Sequence, residues 1–429
     1  MQHFRVSPLS SARAVSRLFL SVTAACALFT LASACEKREP PTGKPEEPGP
    51  AADGPGPSAN AKPADGAPSG NDSDVILLGE IGSLTGNQAT FGISTQRGVQ
   101  MAIDEINAAG GVTLKDGTKK KVDVRVYDDQ GKPEEAANAA SRLINQNHVK
   151  VILGEVASTN SLAMAPKAQE SQTPMISPSS TNPKVTQVGD YIFRVCFIDP
   201  FQGLVMAKFA TENLKLKNVA VLKDNKSDYS IGLSQVFVDE LKKMGGTIVA
   251  EEAYSQGDTD FRAQLTAIKG KKPDAIYVPG YYTDVGVIAR QARQLGITAP
   301  LLGGDGWESE KLFELGGAAI EGSYFSNHYS SEDPSARVQD FIKGYEAKFH
   351  SKPDSLSALG YDAAMVAIQA ISRAKDLTGA SIRDEIARTK DHPGVAGTIN
   401  LNAERNAVKP AVVLQVKDGK TAYVATISP

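Results

Sequence analysis

The chain has 429 residues, a formal net charge of −3 and 41% hydrophobic residues. That balance excludes a strongly basic nucleic-acid surface, and the length with 38 glycines suits an α/β protein of about two domains. Of three cysteines, Cys26 and Cys35 lie near the N-terminus and Cys196 stands alone in the remainder, so neither an internal disulfide nor a cysteine metal site is expected.

Arg5, Arg13 and Arg17 precede an apolar segment, Leu18 to Leu31, that is too short for a comfortable membrane span and predicts a signal peptide. It ends Leu31-Ala32-Ser33-Ala34-Cys35, which resembles the bacterial lipoprotein cleavage site. That resemblance implies removal of residues 1–35 up to a lipidated Cys35. Residues 36–74 hold Pro, Gly, Ala and charges with no large apolar side chain. Such a run cannot bury enough surface to offset its ordering entropy, so a disordered tether is predicted.

Val75-Ile76-Leu77-Leu78 predicts the first buried strand, and a loop Gly82-Ser83-Leu84-Thr85-Gly86 follows. Val99, Ala102, Ile103 and Ile106 have helical spacing, stopped by Gly110-Gly111. Val122, Val124 and Val126 alternate as a strand. Pro133 opens a helix with Glu134 and Glu135 in its first turn, where the helix dipole favours acids. Val151-Ile152-Leu153 and Met175-Ile176 are short continuous apolar runs, read as buried parallel strands. The loops leaving them carry Ser158, Thr159, Ser179, Ser180 and Thr181 and no Lys, Arg or His. Hydroxyls beside a helix N-terminus suit a carboxylate, and in open α/β sheets ligands sit at such strand ends.

After Tyr191 to Val195 the pattern restarts. Helices are predicted over 201–213, 231–244, 261–268 and 285–295, with strands at 219–222, from 248, at 275–278 and at Leu301-Leu302. The last leads into Gly303-Gly304-Asp305-Gly306-Trp307. Gly154 and Gly280, like Pro174 and Pro300, stand 126 residues apart, which predicts two similar βαβ halves with ligand loops at matching places. The second set of loops offers Tyr281, Tyr282, Asp305 and Trp307. A zwitterion between the halves would set its carboxylate on Ser158 and Thr181 and its ammonium on Asp305. Ordinary roles stay open: a helix cap for Ser158 or Thr159, a turn for Asp305, packing for Trp307 and Tyr281.

The motifs Gly82-Ser83-Leu84-Thr85-Gly86, Gln100 to Asn107 with its double glycine, Tyr127-Asp128-Asp129, Ile176 to Pro183, and Gly280-Tyr281-Tyr282 resemble one family across residues 75–429. It is the branched-chain amino-acid-binding family (leucine/isoleucine/valine type) of bacterial ABC transporters, type I periplasmic binding proteins. The resemblance implies an α/β fold of two doubly wound Rossmann-like lobes joined by a three-stranded hinge. Lobe 1 would comprise 75–197 and 328–404, and lobe 2 198–327 and 405–429. Crossings would run through Glu321 to Phe325 and through Ile399 to Val408. It also places Ser158, Ser179 or Ser180, and Thr181 at the α-carboxylate and amine of a ligand. Tyr281 and Asp305 fall at the ammonium, and Phe91, Tyr229 and Tyr361 near the side-chain pocket.

The function so implied is capture of an amino acid, branched-chain or related, between two closing lobes, with delivery to an ABC permease and its ATPase. The protein would act without a cofactor, as a monomer anchored by lipid to a bacterial membrane and facing the periplasm or cell surface. The alternative is a sensor of an amino acid, amide or small carboxylate reporting to a membrane partner. No G-x-S-x-G, H-E-x-x-H or phosphate loop is present, and Gly419-Lys420-Thr421 reads as a hairpin, so an enzyme is not expected.

Overall fold

The structure, a computed structural model, describes residues 74–429. The expected signal peptide, Cys35 and all of the tether but its last residue lie outside the described residues.

Two sheets organise the chain. The first contains β1 (Val75–Gly82), β2 (Val112–Thr113), β3 (Lys119–Asp128), β4 (Ile152–Leu153), β5 (Met175–Ser177) and β6 (Ile192–Arg194), in the order β2-β3-β1-β4-β5-β6. All of its pairs are parallel except β2 with β3. The second contains β7 (Asn218–Asp224), β8 (Thr247–Tyr254), β9 (Ala275–Tyr277), β10 (Leu301–Gly303) and β11 (Tyr324–Asn327). After a separate hairpin, β12 (His392–Gly394) with β13 (Gly397–Ile399), the chain completes this sheet with β14 (Ala411–Lys417) and β15 (Lys420–Ile427). Its order is β15-β14-β11-β10-β9-β7-β8, and only β14 and β15 run antiparallel to their neighbours. The Gly419-Lys420-Thr421 stretch leads from the turn of that β14–β15 hairpin into β15, the turn being Asp418 and Gly419, both at positive φ. Strands β4, β5, β9 and β10 are buried at every position, as expected where helices cover both faces of a parallel sheet.

The helices between strands of the first sheet are α1 (Ala89–Ala108), α2 (Pro133–Asn145), α3 (Ser158–Glu170) and α4 (Lys184–Gln187). Those of the second are α5 (Asp199–Lys208), α6 (Asp228–Lys243), α7 (Arg262–Gly270), α8 (Tyr282–Gln294) and α9 (Glu310–Gly316). Beyond β11, α10 (Ala336–Phe349), α11 (Ser355–Arg373) and α12 (Gly379–Ala387) return to the first sheet's core. There α1 and α11 touch backbone to backbone: a Cβ on Gly98 would sit 1.9 Å from the Ser357 carbonyl, and one on Gly360 2.4 Å from that of Thr95. Among the described residues no helix is long and apolar enough to cross a membrane.

The two halves do repeat, but with a corrected registration. Ile152 N donates to Pro174 O, and Ile276 N to Pro300 O; Gly154 N donates to Ile176 O, and Val278 N to Leu302 O. The counterpart of Gly154 is therefore Val278, 124 residues on, rather than Gly280. Helices α3 and α8 keep that same offset, and two extra residues enter before β10. Gly280 is a glycine for its own reason, since a Cβ there would meet the Tyr254 hydroxyl at 2.1 Å.

The hydrophobic cores show where the chain changes lobes. Val195 and Cys196 belong to the first sheet's core and Phe197 to the second's; Phe325 lies in the second and Tyr329 in the first; Ala407 lies in the first and Ala411 in the second. The stretch Glu321 to Phe325 does not cross, because Tyr324 and Phe325 pair with Gln415 and Leu414 inside the second sheet. Arg405 stays with the first lobe, donating to Thr186 O at 2.7 Å and Ile192 O at 3.2 Å. A bridge between Leu401 and Ala407 keeps the chain turned back there, so the third crossing follows Ala407.

Candidate ligand-binding cleft

Loops from the carboxyl ends of both sheets face one another around a small cavity. Its lining combines Phe91, Val156, Ser158, Ser179, Thr181 and Leu356 from the first lobe with Tyr229, Tyr281, Asp305 and Gly306 from the second.

The first-lobe wall is a pole of donors. Ser158 opens α3, after Ala157 at the cap position, so neither Ser158 nor Thr159 caps the helix with its side chain. The first backbone amides of a helix have no intrahelical partner, so those of α3 can serve an acceptor together with the hydroxyls. Ser158 Oγ accepts from Asn182 N, which leaves its own hydrogen to donate. The Ser179 hydroxyl is buried without a protein partner, an arrangement that burial penalises unless a ligand completes it, and the Thr181 hydroxyl has the Asp199 carboxyl beside it. Ser180, expected beside them, turns away. Its Oγ bonds Ser161 Oγ at 2.7 Å and donates toward the carbonyls of Glu155 and Val156, which pins the loop and leaves nothing for a ligand.

The second-lobe wall is acidic and aromatic. Asp305 opens a single 3-10 turn after β10. Its Oδ1 accepts from Gln202 Nε2 at 2.7 Å, and its Oδ2 lies 2.9 Å from His328 Nε2. Tyr229 and Tyr281 stack at 5.4 Å with rings 15° apart, and Phe91 meets Tyr281 edge-on at 5.7 Å. Tyr229 Oη accepts from Gly306 N, and burial holds its phenol well above the ordinary range, so it stays a neutral donor. Gly306 has no room for a side chain: a Cβ would come within 3.0 Å of the Tyr229 ring. Behind Thr181, burial pushes the Asp199 carboxyl up to about 8.

Trp307, expected in the site, is not in the lining. Its indole is fully buried, Nε1 donates to Val278 O at 2.9 Å, and the ring fills the notch that Gly303 leaves by lacking a side chain. A large ring two residues from the site found a better partner in the lobe's own core. Tyr361 is likewise elsewhere, its hydroxyl donating to Glu105 and accepting from Arg337. Its place on the apolar wall is taken by Leu356, one turn and a half earlier on α11, with Val156. Neither residue carries a signal in the sequence, because an aliphatic side chain near a strand end or a helix start is ordinary core.

The lobes also touch outside the cavity. Thr159 Oγ1 donates to Asp228 Oδ2 at 3.1 Å and accepts from Asp228 N at 3.0 Å. Asn182 Nδ2 donates to Asp228 O, Tyr282 Oη to Asn87 O, and Ser309 Oγ to Thr90 Oγ1. Among the described residues no cluster of His, Cys, Asp or Glu could hold a metal ion.

Two parallel-sheet lobes, a three-segment hinge and a cleft lined from both sides define a bilobal solute-binding protein. The chain belongs to the family described as periplasmic binding protein, whose profile matches residues 75–421. It is similar to the Leu/Ile/Val-binding protein BraC3 of Rhizobium johnstonii, 34% identical over 253 residues, which cover 59% of this chain and 67% of that one. Among solved structures it is similar to a leucine-binding protein from Thermotoga maritima, 41% identical, with a TM-score of 0.79 over 82% of this chain and 99% of that one. The branched-chain amino acid transporter substrate-binding protein of Streptococcus pneumoniae, solved with isoleucine, is 36% identical, with a TM-score of 0.78 over 83% of this chain and all of that one. Membership of this family implies an extracytoplasmic location and a solute-binding role in transport.

Proposed function

We propose that this protein binds an α-amino acid with an aliphatic side chain, of the leucine, isoleucine and valine class, for an ABC importer. The observation that carries it is the cavity's two poles. The hydroxyls of Ser179, which has no protein partner, and of Thr181 stand on one lobe and the Asp305 carboxylate on the other, with Phe91, Val156 and Leu356 supplying an apolar wall. A zwitterion satisfies both poles at once, and an aliphatic side chain suits the wall. A simple carboxylate would leave Asp305 buried without a counter-charge. The ligands of the similar proteins, leucine and isoleucine, support this choice. The protein acts as a monomer, needs no cofactor and catalyses no reaction, and it hands its ligand to a permease driven by an ATPase.

Leucine, isoleucine or valine is expected to raise the melting temperature in a thermal-shift screen, since a ligand at about 100 times its Kd stabilises by roughly 2.7 kcal/mol. The same ligand should reduce the radius of gyration in small-angle scattering, as opposing loops meet across the cleft. A shift with amides or benzoate but with no amino acid would remove the proposal.

A second part of the proposal concerns the N-terminus: Cys35 is diacylated and residues 36–74 act as a leash. Metabolic labelling with a fatty-acid analogue should mark the wild type and miss Cys35→Ala. Equal labelling of both would leave an ordinary secreted protein.

A further inference from the structure

We infer that His328, which lies outside the cavity lining, is the positioning residue for the ligand's ammonium. The inference rests on the amino-acid ligand proposed above. Asp305 is not a free carboxylate on a loop: Gln202 holds one oxygen and His328 the other. His328 is the first residue after β11, on the second crossing between the lobes, and only 3% of it is exposed. Its ring lies on Phe197, the residue at which the first crossing enters the second lobe, with centroids 3.7 Å apart and planes 27° apart. The charged groups that act on the imidazole are Asp305 and, from the third crossing, the buried Lys409. All three crossings therefore converge on the ring that holds the acid of the cleft.

The protonation state follows. Burial lowers the imidazole's affinity for a proton, so the ring is neutral and carries one N–H. Nδ1 has no partner, which places that hydrogen on Nε2, facing Asp305. A neutral donor orients the carboxylate without neutralising it. With Gln202 neutral as well, Asp305 keeps its full charge for an ammonium, and each oxygen keeps a lone pair directed elsewhere. A lysine or arginine at 328 would fix the carboxylate equally well and cancel the charge that recognises the ligand.

The test compares leucine with 4-methylpentanoate, which is leucine without its amine, by titration calorimetry. His328→Phe keeps a ring on Phe197 and removes the hydrogen bond; His328→Gln restores an N–H. His328→Phe should weaken leucine about ten- to hundred-fold, the range of a hydrogen bond to a charged group, and shift 4-methylpentanoate by no more than about two-fold. His328→Gln should recover most of that loss. In an Asp305→Asn background, His328→Phe should add nothing. Equal losses for both ligands, or an undiminished loss in that background, would make His328 a general hinge residue and overturn the inference. If His328→Phe does not fold, His328→Gln with and without Asp305→Asn carries the same comparison, with a smaller but still amine-specific loss expected. A wild type that binds no amino acid removes the proposed ligand and this role together; a wild type that binds leucine, with His328 variants that lose both ligands equally, removes His328 alone.

Discussion

Asp305→Ala is expected to weaken the binding of a branched-chain amino acid by roughly two to three decades. A carboxylate and an ammonium about 3 Å apart attract by roughly 5 kcal/mol at an effective dielectric near 20. Desolvation offsets much of that attraction, whereas removing one partner from a closed, buried pair typically costs about 3–5 kcal/mol. Each decade of affinity is about 1.4 kcal/mol, which sets the expected loss. Asp305→Asn should lose less, because its amide oxygen still accepts a hydrogen bond. Calorimetry is the suitable readout. Trp307, the only tryptophan in the chain, shares the Asp305 turn, but its indole is sealed against Val278 and Gly303 and senses the loop rather than the ligand. Near-wild-type affinity in Asp305→Ala would take this residue out of the site and favour an uncharged amide or a simple carboxylate as the ligand.

The residues that the sequence made legible are those whose chemistry is out of place. Hydroxyls crowded at the ends of two buried strands, and an acid among glycines, have few structural uses, and Ser158, Ser179, Thr181 and Asp305 all line the cavity. Where a residue type has an easy structural use, the sequence could not decide. Ser179 and Ser180 are adjacent and identical; only the tertiary fold turns one toward the cavity and commits the other to Ser161. Trp307 could pack or bind, and it packs. His328 is one of five histidines scattered along the chain, and its partners stand 23 residues and 131 residues away.

The fold divides the same way. Parallel strands announced themselves as short apolar runs, and the repeat was visible through Pro174 and Pro300, which do occupy matching places beside β5 and β10. The apparent match of Gly154 with Gly280 was a coincidence of two glycines held by different constraints. The crossings were placed a few residues off at Glu321 to Phe325 and at Arg405, because a lobe boundary is set by which core a side chain enters. No local pattern encodes that choice. The glycines at 98 and 360 had no local motive either; contact between α1 and α11 requires them.

Glu80→Gln is expected to stabilise the protein at alkaline pH and to do almost nothing at acid pH. Glu80 lies in β1, between Val126 of β3 and Leu153 of β4, with 1% of its surface exposed and Oε2 without a partner. Burial pushes its carboxyl from 4.5 to about 8. Folded, the group holds its proton through neutral pH; unfolded, it loses it near 4.5. The folded state therefore binds the extra proton, and stability falls with rising pH across that window. The contribution is fully present below about 4.5 and is lost as pH rises through about 8. At 1.36 kcal/mol per pKa unit, the ceiling is on the order of 5 kcal/mol. Asp199 and Glu308 are also raised to about 8 by burial, so the wild-type slope sums several groups. The difference between variant and wild type isolates Glu80, because an amide of the same shape cannot ionise. Urea unfolding at pH 4 and pH 9 should show the two proteins within about 1 kcal/mol at the first and the variant ahead by several kcal/mol at the second. Parallel stability curves across that range would mean that Glu80 is ionised in the fold and finds a partner there.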